Sequence, residues 1–173
     1  MVKKVRFFSE NFEIEGLFSK KDEKKGVVIT HPHPLYGGDM YNLVVETIVH
    51  VYNIKGYSTL KFNFRGVGRS QGTYDNGDGE QKDVLAALSF LGDMGMEQID
   101  LAGYSFGAWV NAHAVQEDVA VKNMVMISPI APADVVKQMC SVWNPNARFV
   151  VIDGADHFYG GYLNQLEAVL VSI

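Results

Sequence analysis

Residues 98–110 read QIDLAGYSFGAWV, and this stretch decides the fold. A short apolar run leads into Gly-Tyr-Ser-Phe-Gly, and a second apolar run begins directly after it. This order predicts a strand, a tight turn and the start of a helix. Gly103 and Gly107 leave room where a side chain would collide with the neighbouring strand or helix. The stretch therefore predicts that the hydroxyl of Ser105 is lifted clear of a sheet at a helix N-terminus.

The turn matches the pattern G-x-S-x-G in its required context of strand, turn and helix. In that context Ser105 is a candidate nucleophile, and the backbone N–H of Phe106 points to where an oxyanion would form. The alternative is a plain glycine-rich turn whose serine caps the helix. Five residues alone are a modest signal, but the flanking strand and helix favour the nucleophile.

Outward from this turn, the apolar patterns alternate between strand and helix. Residues 2–8 and 12–18 alternate apolar and polar side chains and predict an N-terminal antiparallel hairpin. The later strands are predicted in GVVITHP, YSTLKFNF, QIDLAGY, NMVMISP and RFVVIDG, and the helices in residues 39–52, 80–92, 106–116, 133–140 and 161–170. Right-handed crossovers then give an α/β fold with a mostly parallel sheet of about seven strands and helices on both faces. The length of 173 residues suits a single domain, residues 1–173.

A second polar segment, THPHPLYGGDM, follows the strand GVVIT. Chemistry in such sheets gathers at the carboxyl ends of the strands. A serine nucleophile needs a second backbone donor for the oxyanion, and we expect this donor to be the N–H of Leu35 or Tyr36. His31 and His33 have the spacing of two metal ligands, but no third ligand is evident, so no metal site is predicted. We expect both imidazoles to shape the loop through local hydrogen bonds.

Four segments together carry a family resemblance, and they occur in the order HPHPLYGGDM, FNFRGVGRSQG, GYSFGA and GADHFYGG. Over residues 26–173 they resemble the small lidless α/β-hydrolases of the dienelactone-hydrolase-like kind, which have an HPHP loop. The resemblance implies an α/β-hydrolase fold with Ser105 as nucleophile and His157 as general base. The chain order of serine before histidine agrees with this. No long insertion follows NMVMISP, so no cap domain is expected, and the reaction needs no cofactor.

The acid that would orient His157 is not evident. Relatives in this family usually have one more strand and helix before GADHF, and that strand ends in a loop with the orienting aspartate. Residues 128–148 of this chain leave space for one short helix. Asp134 is the candidate acid, because it follows the strand NMVMISP and is the only acid in that interval. Its alternative role is to cap the helix that follows it, and Asp156 is expected to structure its own loop.

Composition and charge disfavour several classes of function. Hydrophobic residues make up 47% of the chain and charged residues 20%, which is usual for globular proteins. The net charge of −5 argues against a nucleic-acid partner or an anionic membrane surface. The start of the chain, MVKKVRFFSE, has no apolar stretch long enough for a signal peptide, and the single Cys140 permits no internal disulfide. We therefore expect a cytoplasmic protein without a membrane partner.

These features support three hypotheses. The first is a serine hydrolase that cleaves a small acyl ester, thioester or short peptide through the Ser105–His157 pair and a backbone oxyanion hole. The second is a catalytically impaired binding or interaction module, in which a homodimer covers the surface exposed by the missing strand. The third is a truncated or decaying gene product with low thermal stability.

Overall fold

The protein folds around one mixed β-sheet. The structure is a computed structural model that describes residues 1–115, 121–130, 132, 134–138 and 147–173. Its strands are β1 (Val2–Ser9), β2 (Phe12–Ser19), β3 (Lys25–Thr30), β4 (Ser58–Phe62), β5 (Gln98–Tyr104) and β6 (Met124–Ile127). They lie in the order β1-β2-β4-β3-β5-β6. The β1–β2 hairpin and the β2–β4 pair are antiparallel, and the other pairs are parallel, which confirms the predicted α/β class and N-terminal hairpin.

Helices cover both faces of the sheet, as predicted. Their bounds are Leu43–Ile54 for α1, Asp78–Asp93 for α2, Phe106–Ala114 for α3 and Leu163–Val171 for α4. Val84 of α2 and Val110 of α3 lie in the apolar core on one face. Ile48 of α1 and Leu166 of α4 lie in a second core on the opposite face. The sheet is therefore the middle layer of three.

Buried strands and capping side chains explain where these elements form. β3 and β5 pair with each other and are buried along almost their whole length, which is typical of parallel strands covered on both faces. α1 begins after Asn42, whose side-chain oxygen accepts the N–H of Val44 at 2.9 Å. At the start of α2, the Glu80 carboxylate accepts the N–H groups of Asp75 and Gly77. Because β3 and β5 are paired in parallel, their carboxyl ends lie side by side, where the site was predicted.

The sheet has six strands among the described residues, one fewer than predicted. The predicted strand RFVVIDG does not form: residues 147–152 belong to no strand. Residues 149–151 expose between 37% and 64% of their surface. An apolar run becomes a strand only where its backbone pairs with the edge of a neighbouring strand. In the described sheet, β6 is the last strand and pairs with β5, so RFVVIDG does not pair with its outer edge. The apolar pattern of RFVVIDG shows that the segment could form a strand, but it cannot show whether a neighbouring strand pairs with it.

The connection that precedes this run is described only in part. Residues 134–138 are helical, which agrees with the short helix predicted near residues 133–140. Asp134 opens this helical stretch and is exposed. Cys140 lies outside the described residues.

Candidate active site

The turn between β5 and α3 forces Ser105 into an uncommon backbone conformation. Its φ of 56° and ψ of −117° lie outside the regions that residues with a side chain usually adopt. Crowding explains both flanking glycines. A Cβ on Gly103 would lie 2.6 Å from the Thr30 hydroxyl oxygen, and a Cβ on Gly107 would lie 2.6 Å from the carbonyl oxygen of His31. The serine therefore sits on a strained turn directly before α3.

Ser105 and His157 meet although 52 residues separate them in the chain. The Ser105 Oγ lies 2.9 Å from the His157 Nε2. The backbone N–H of Ser105 donates to the carbonyl oxygen of Ile127 at 2.8 Å, which ties the turn to the end of β6. His157 lies on an exposed loop before α4. The hydroxyl and the imidazole are close enough for a direct proton transfer.

Two side chains organise the loop that carries His157. The Asp156 Oδ1 accepts the N–H groups of Phe158 at 3.0 Å and Gly160 at 3.1 Å. The Tyr104 hydroxyl donates to the carbonyl oxygen of His157 at 2.7 Å. Asp156 thus structures its own loop, as the sequence predicts.

No carboxylate orients the imidazole in the part of the chain that the structure describes. There, the hydrogen bond of the His157 ring is the one to the serine hydroxyl. Asp134 is exposed and makes no hydrogen bond or ion pair with His157. Asp153, in the same connection as the histidine, is also exposed. Within the described residues, Ser105 and His157 therefore form a pair without a third, acidic partner.

The 3₁₀ turn Pro34–Tyr36 uses both backbone donors expected from the loop after β3. The Leu35 N–H donates to the His33 Nδ1 at 3.2 Å, and the Tyr36 N–H donates to the His33 carbonyl oxygen at 3.1 Å. Phe106, in contrast, is the first residue of α3, where a backbone N–H has no carbonyl partner within the helix. Of the three predicted donors, the N–H of Phe106 directly follows Ser105 and has no partner within its helix, whereas those of Leu35 and Tyr36 are bonded inside their own turn.

Both histidines of this loop make local hydrogen bonds, as predicted. His31 is fully buried, its Nε2 accepts the Phe64 N–H at 3.0 Å, and its Nδ1 lies 2.6 Å from the Pro32 carbonyl oxygen. These partners assign the proton to Nδ1. Burial lowers the pKa of His31 to about 4, so the ring is neutral at neutral pH. The His33 Nδ1 accepts a backbone N–H of the turn, and its Nε2 lies 3.2 Å from the Tyr74 hydroxyl.

His31→Gln is expected to remove a pH dependence of folding stability. In the unfolded chain the imidazole gains a proton as the pH falls below 6.5, whereas folded His31 stays neutral down to about 4. The unfolded state therefore binds more protons in this window, and the native chain should lose about 3 kcal/mol of unfolding free energy across it. Glutamine can still accept the Phe64 N–H but does not titrate. Urea unfolding of both chains across this window measures the difference, and a constant gap between the two would contradict the assignment.

Two exposed aromatic side chains lie on the loops that carry His33 and His157. Tyr36 is 87% exposed, and its ring centroid lies 4.8 Å from that of His33. The His33 ring in turn lies 4.7 Å from the buried ring of Phe106. Phe158, the residue after His157, is 78% exposed, and its ring centroid lies 5.5 Å from that of His157. Tyr36 and Phe158 therefore present apolar surface that a ligand could cover.

Sequence reasoning missed two contacts of the site. It did not assign the bond from the Tyr104 hydroxyl to the His157 carbonyl, and it did not identify His33 as the side chain that caps the 3₁₀ turn. A histidine directly before Pro34 could have indicated the cap, because the side chain of an N-cap residue accepts a nearby backbone N–H. Nothing local in the sequence indicates the tyrosine contact.

Neither a metal cluster nor a membrane-spanning helix is found in the part of the chain that the structure describes. No group of three or more His, Cys, Asp or Glu side chains there is arranged to hold a metal ion. No helix there combines the length and the hydropathy needed to cross a bilayer.

No family model matches the chain. The chain is 37% identical over 129 residues to an uncharacterised protein of Rickettsia prowazekii (strain Madrid E). The matched residues are 72% of this chain and 54% of that protein. The chain thus spans about half the length of this curated relative.

Solved structures share the fold over nearly the whole chain. An α/β serine hydrolase homologue from Coxiella burnetii is 30% identical with a TM-score of 0.80, over 98% of this chain and 96% of that one. A candidate α/β hydrolase of unknown function from Agrobacterium tumefaciens is 26% identical with a TM-score of 0.86, over 98% and 94% of the two chains. An α/β serine hydrolase without a lid from Xanthomonas campestris shares the fold, with 22% identity and a TM-score of 0.82 over 98% and 91%.

Proposed function

Because this chain belongs to the α/β serine hydrolase homologues, we propose that it is a serine hydrolase that cleaves a small ester, thioester or similar acyl substrate. The observation that carries the proposal is the distance of 2.9 Å between the Ser105 Oγ and the His157 Nε2. A hydroxyl on a strained turn, with a base in hydrogen-bond contact, is the arrangement of an activated serine.

In the proposed reaction, the Ser105 Oγ attacks the acyl carbon while the His157 Nε2 takes the hydroxyl proton. The carbonyl oxygen becomes an oxyanion beside the N–H of Phe106. The bond to the leaving group then breaks, the leaving alcohol or thiol takes the proton from His157, and Ser105 remains acylated. A water molecule, deprotonated by His157, attacks this acyl-enzyme and releases the acid and the free serine.

We keep Leu35 as the proposed second oxyanion donor in preference to Tyr36. The Leu35 N–H is bonded to a ring nitrogen of His33, and a side-chain acceptor can be released by a rotation of that side chain. The Tyr36 N–H is bonded to a main-chain carbonyl inside the same turn, so its release would require the turn to unwind. Hydrogen bonds of an active site often reach their working geometry only with substrate bound.

The surroundings of the pair favour a substrate with an uncharged, apolar acyl group. The exposed rings of Tyr36, beside His33, and Phe158, beside His157, offer apolar contact. A carboxylated substrate cannot use Arg65 as its cationic partner, because this buried side chain is paired with Asp83 at an Nη2–Oδ1 distance of 2.8 Å. Substrates of this uncharged kind include short-chain and aromatic esters.

The proposal needs only the serine and the histidine. The role of Asp134 as the orienting acid stays a prediction. The described contacts support a mechanism that uses the Ser105–His157 pair alone. Loss of the orienting acid in a triad costs about 10⁴-fold in turnover but leaves catalysis well above the reaction in water. A Ser105–His157 dyad can therefore still hydrolyse an activated ester.

A fluorophosphonate probe tests the proposal. The folded protein is expected to be labelled at Ser105, because the probe reacts only with serines that a base activates. Ser105→Ala should abolish the labelling, whereas Ser172→Ala, which removes an exposed serine hydroxyl at the end of α4, should leave it unchanged. Labelling that is equal in all three proteins would contradict an activated Ser105.

The second candidate function is a binding module that has lost catalysis. The observation in its favour is the lack of a carboxylate at the His157 ring among the described residues. This candidate predicts a folded protein that is neither labelled by the probe nor active on a panel of short-chain and aromatic esters. Labelling of Ser105 with turnover of any ester would exclude it.

A further inference from the structure

We propose that Tyr104 is a positioning residue, which holds His157 against Ser105 from the nucleophile turn itself. The inference rests on the proposed function, because this position matters for turnover only if the pair reacts with a substrate. Tyr104 is the last residue of β5 and directly precedes Ser105. Its hydroxyl donates to the main-chain carbonyl of His157 at 2.7 Å. One stretch of backbone therefore fixes both the nucleophile and the residue that takes its proton.

The surroundings of Tyr104 suit a permanent hydrogen-bond donor. The side chain is 2% exposed, and its ring centroid lies 5.6 Å from that of His157 and 6.4 Å from that of Tyr159. Burial, together with Tyr159 and Asp156, raises the pKa of Tyr104 to about 12. The phenol thus keeps its proton at neutral pH. A carbonyl oxygen can only accept a hydrogen bond, so the donor must be the phenol.

Apart from the contact between His157 and Ser105, the other side-chain hydrogen bonds of the loop do not reach residues 104 and 105 in the described part of the chain. Asp156 accepts two backbone N–H groups inside the loop. The Tyr159 hydroxyl lies 2.9 Å from the hydroxyl of Ser128, which follows β6. No carboxylate among the described residues holds the His157 ring. Among the described residues, the bond from Tyr104 is therefore the hydrogen bond that links the turn to the main chain of His157.

Tyr104→Phe tests this role, because it removes the hydroxyl and keeps the ring. We expect kcat to fall by about 10- to 100-fold while KM changes less than about twofold, since a misplaced base slows chemistry without changing substrate contacts. Tyr52→Phe is the matched control. Tyr52 is 5% exposed, and its hydroxyl donates to Asp100 at 3.3 Å, away from the loop of His157.

A second measurement does not depend on activity. Amide hydrogen exchange across residues 154–161 should become roughly tenfold faster in Tyr104→Phe and stay unchanged in Tyr52→Phe. A native-like kcat in Tyr104→Phe, or equal losses in the two variants, would overturn the proposal. If the native protein hydrolyses no ester and escapes the probe, the proposed function fails. The exchange rates then decide whether Tyr104 positions the loop, and unchanged rates would overturn that inference too.

Discussion

His157→Gln is expected to lower kcat for an activated ester by about 100-fold. Loss of the histidine from a complete triad costs about 10⁶-fold, and a dyad already lacks the roughly 10⁴-fold that the orienting acid supplies. The imidazole Nε2 lies 2.9 Å from the Ser105 Oγ, and no other base contacts this hydroxyl in the described part of the chain. Glutamine can form a hydrogen bond with the serine but cannot take its proton at neutral pH. Hydrolysis of p-nitrophenyl acetate, with enzyme in excess over ester, measures the loss in the chemical step itself.

Two further variants show whether the serine and the histidine act as one unit. Ser105→Ala should lose about as much activity as His157→Gln, and the double variant should lose no more than either. Losses that multiply in the double variant would mean that the two side chains act independently. A loss below about tenfold in His157→Gln would contradict its role as the base.

Asp134→Asn separates a dyad from a triad. The exposed Asp134 makes no contact with His157, so the dyad predicts a kcat within about threefold of the native value. A triad that uses Asp134 predicts a loss of about 10⁴-fold. A loss of that size would show that the Asp134 carboxylate acts in turnover, and it would restore the triad that the sequence predicts.

The parts of the site that could be predicted from sequence are those that local chemistry imposes. Gly103 and Gly107 are required because a Cβ at either position would collide with the end of β3. The same tight turn explains the strained φ of Ser105. His31 and His33 each make a hydrogen bond within their own proline-rich loop. The sequence of that loop was therefore enough to predict that both imidazoles shape it.

The parts that could not be predicted depend on contacts distant in the chain. The Tyr104 hydroxyl finds its acceptor 53 residues away, and no periodic pattern encodes that partner. The run RFVVIDG has the composition of a buried strand, but strand formation depends on a neighbouring edge, which a pattern within the run cannot specify. The hydrogen bonds of Leu35 and Tyr36 depend on the turn that forms after Pro34, and a loop sequence does not determine which backbone donors stay available.

Gly107→Ala is expected to destroy the site by moving the backbone that supports it. The added Cβ would lie 2.6 Å from the carbonyl oxygen of His31 and 2.8 Å from the carbonyl carbon of Thr30. Both are main-chain atoms, of the last residue of β3 and of the residue after it, so a side-chain rotation cannot relieve the collision. We expect the unfolding free energy to fall by about 3 kcal/mol and the probe labelling of Ser105 to be lost. Urea unfolding and labelling of the same sample measure both effects.

Gly92→Ala is the control, because it adds the same methyl group to a helix. Gly92 lies in α2, and a Cβ there would meet nothing within 4 Å. Alanine favours a helix over glycine by about 0.5–1 kcal/mol, so this variant should be slightly more stable than the native chain and fully labelled. If Gly107→Ala matched Gly92→Ala in both measurements, the close approach of α3 to the end of β3 would not be what shapes the turn. The strain at Ser105 would then need another cause.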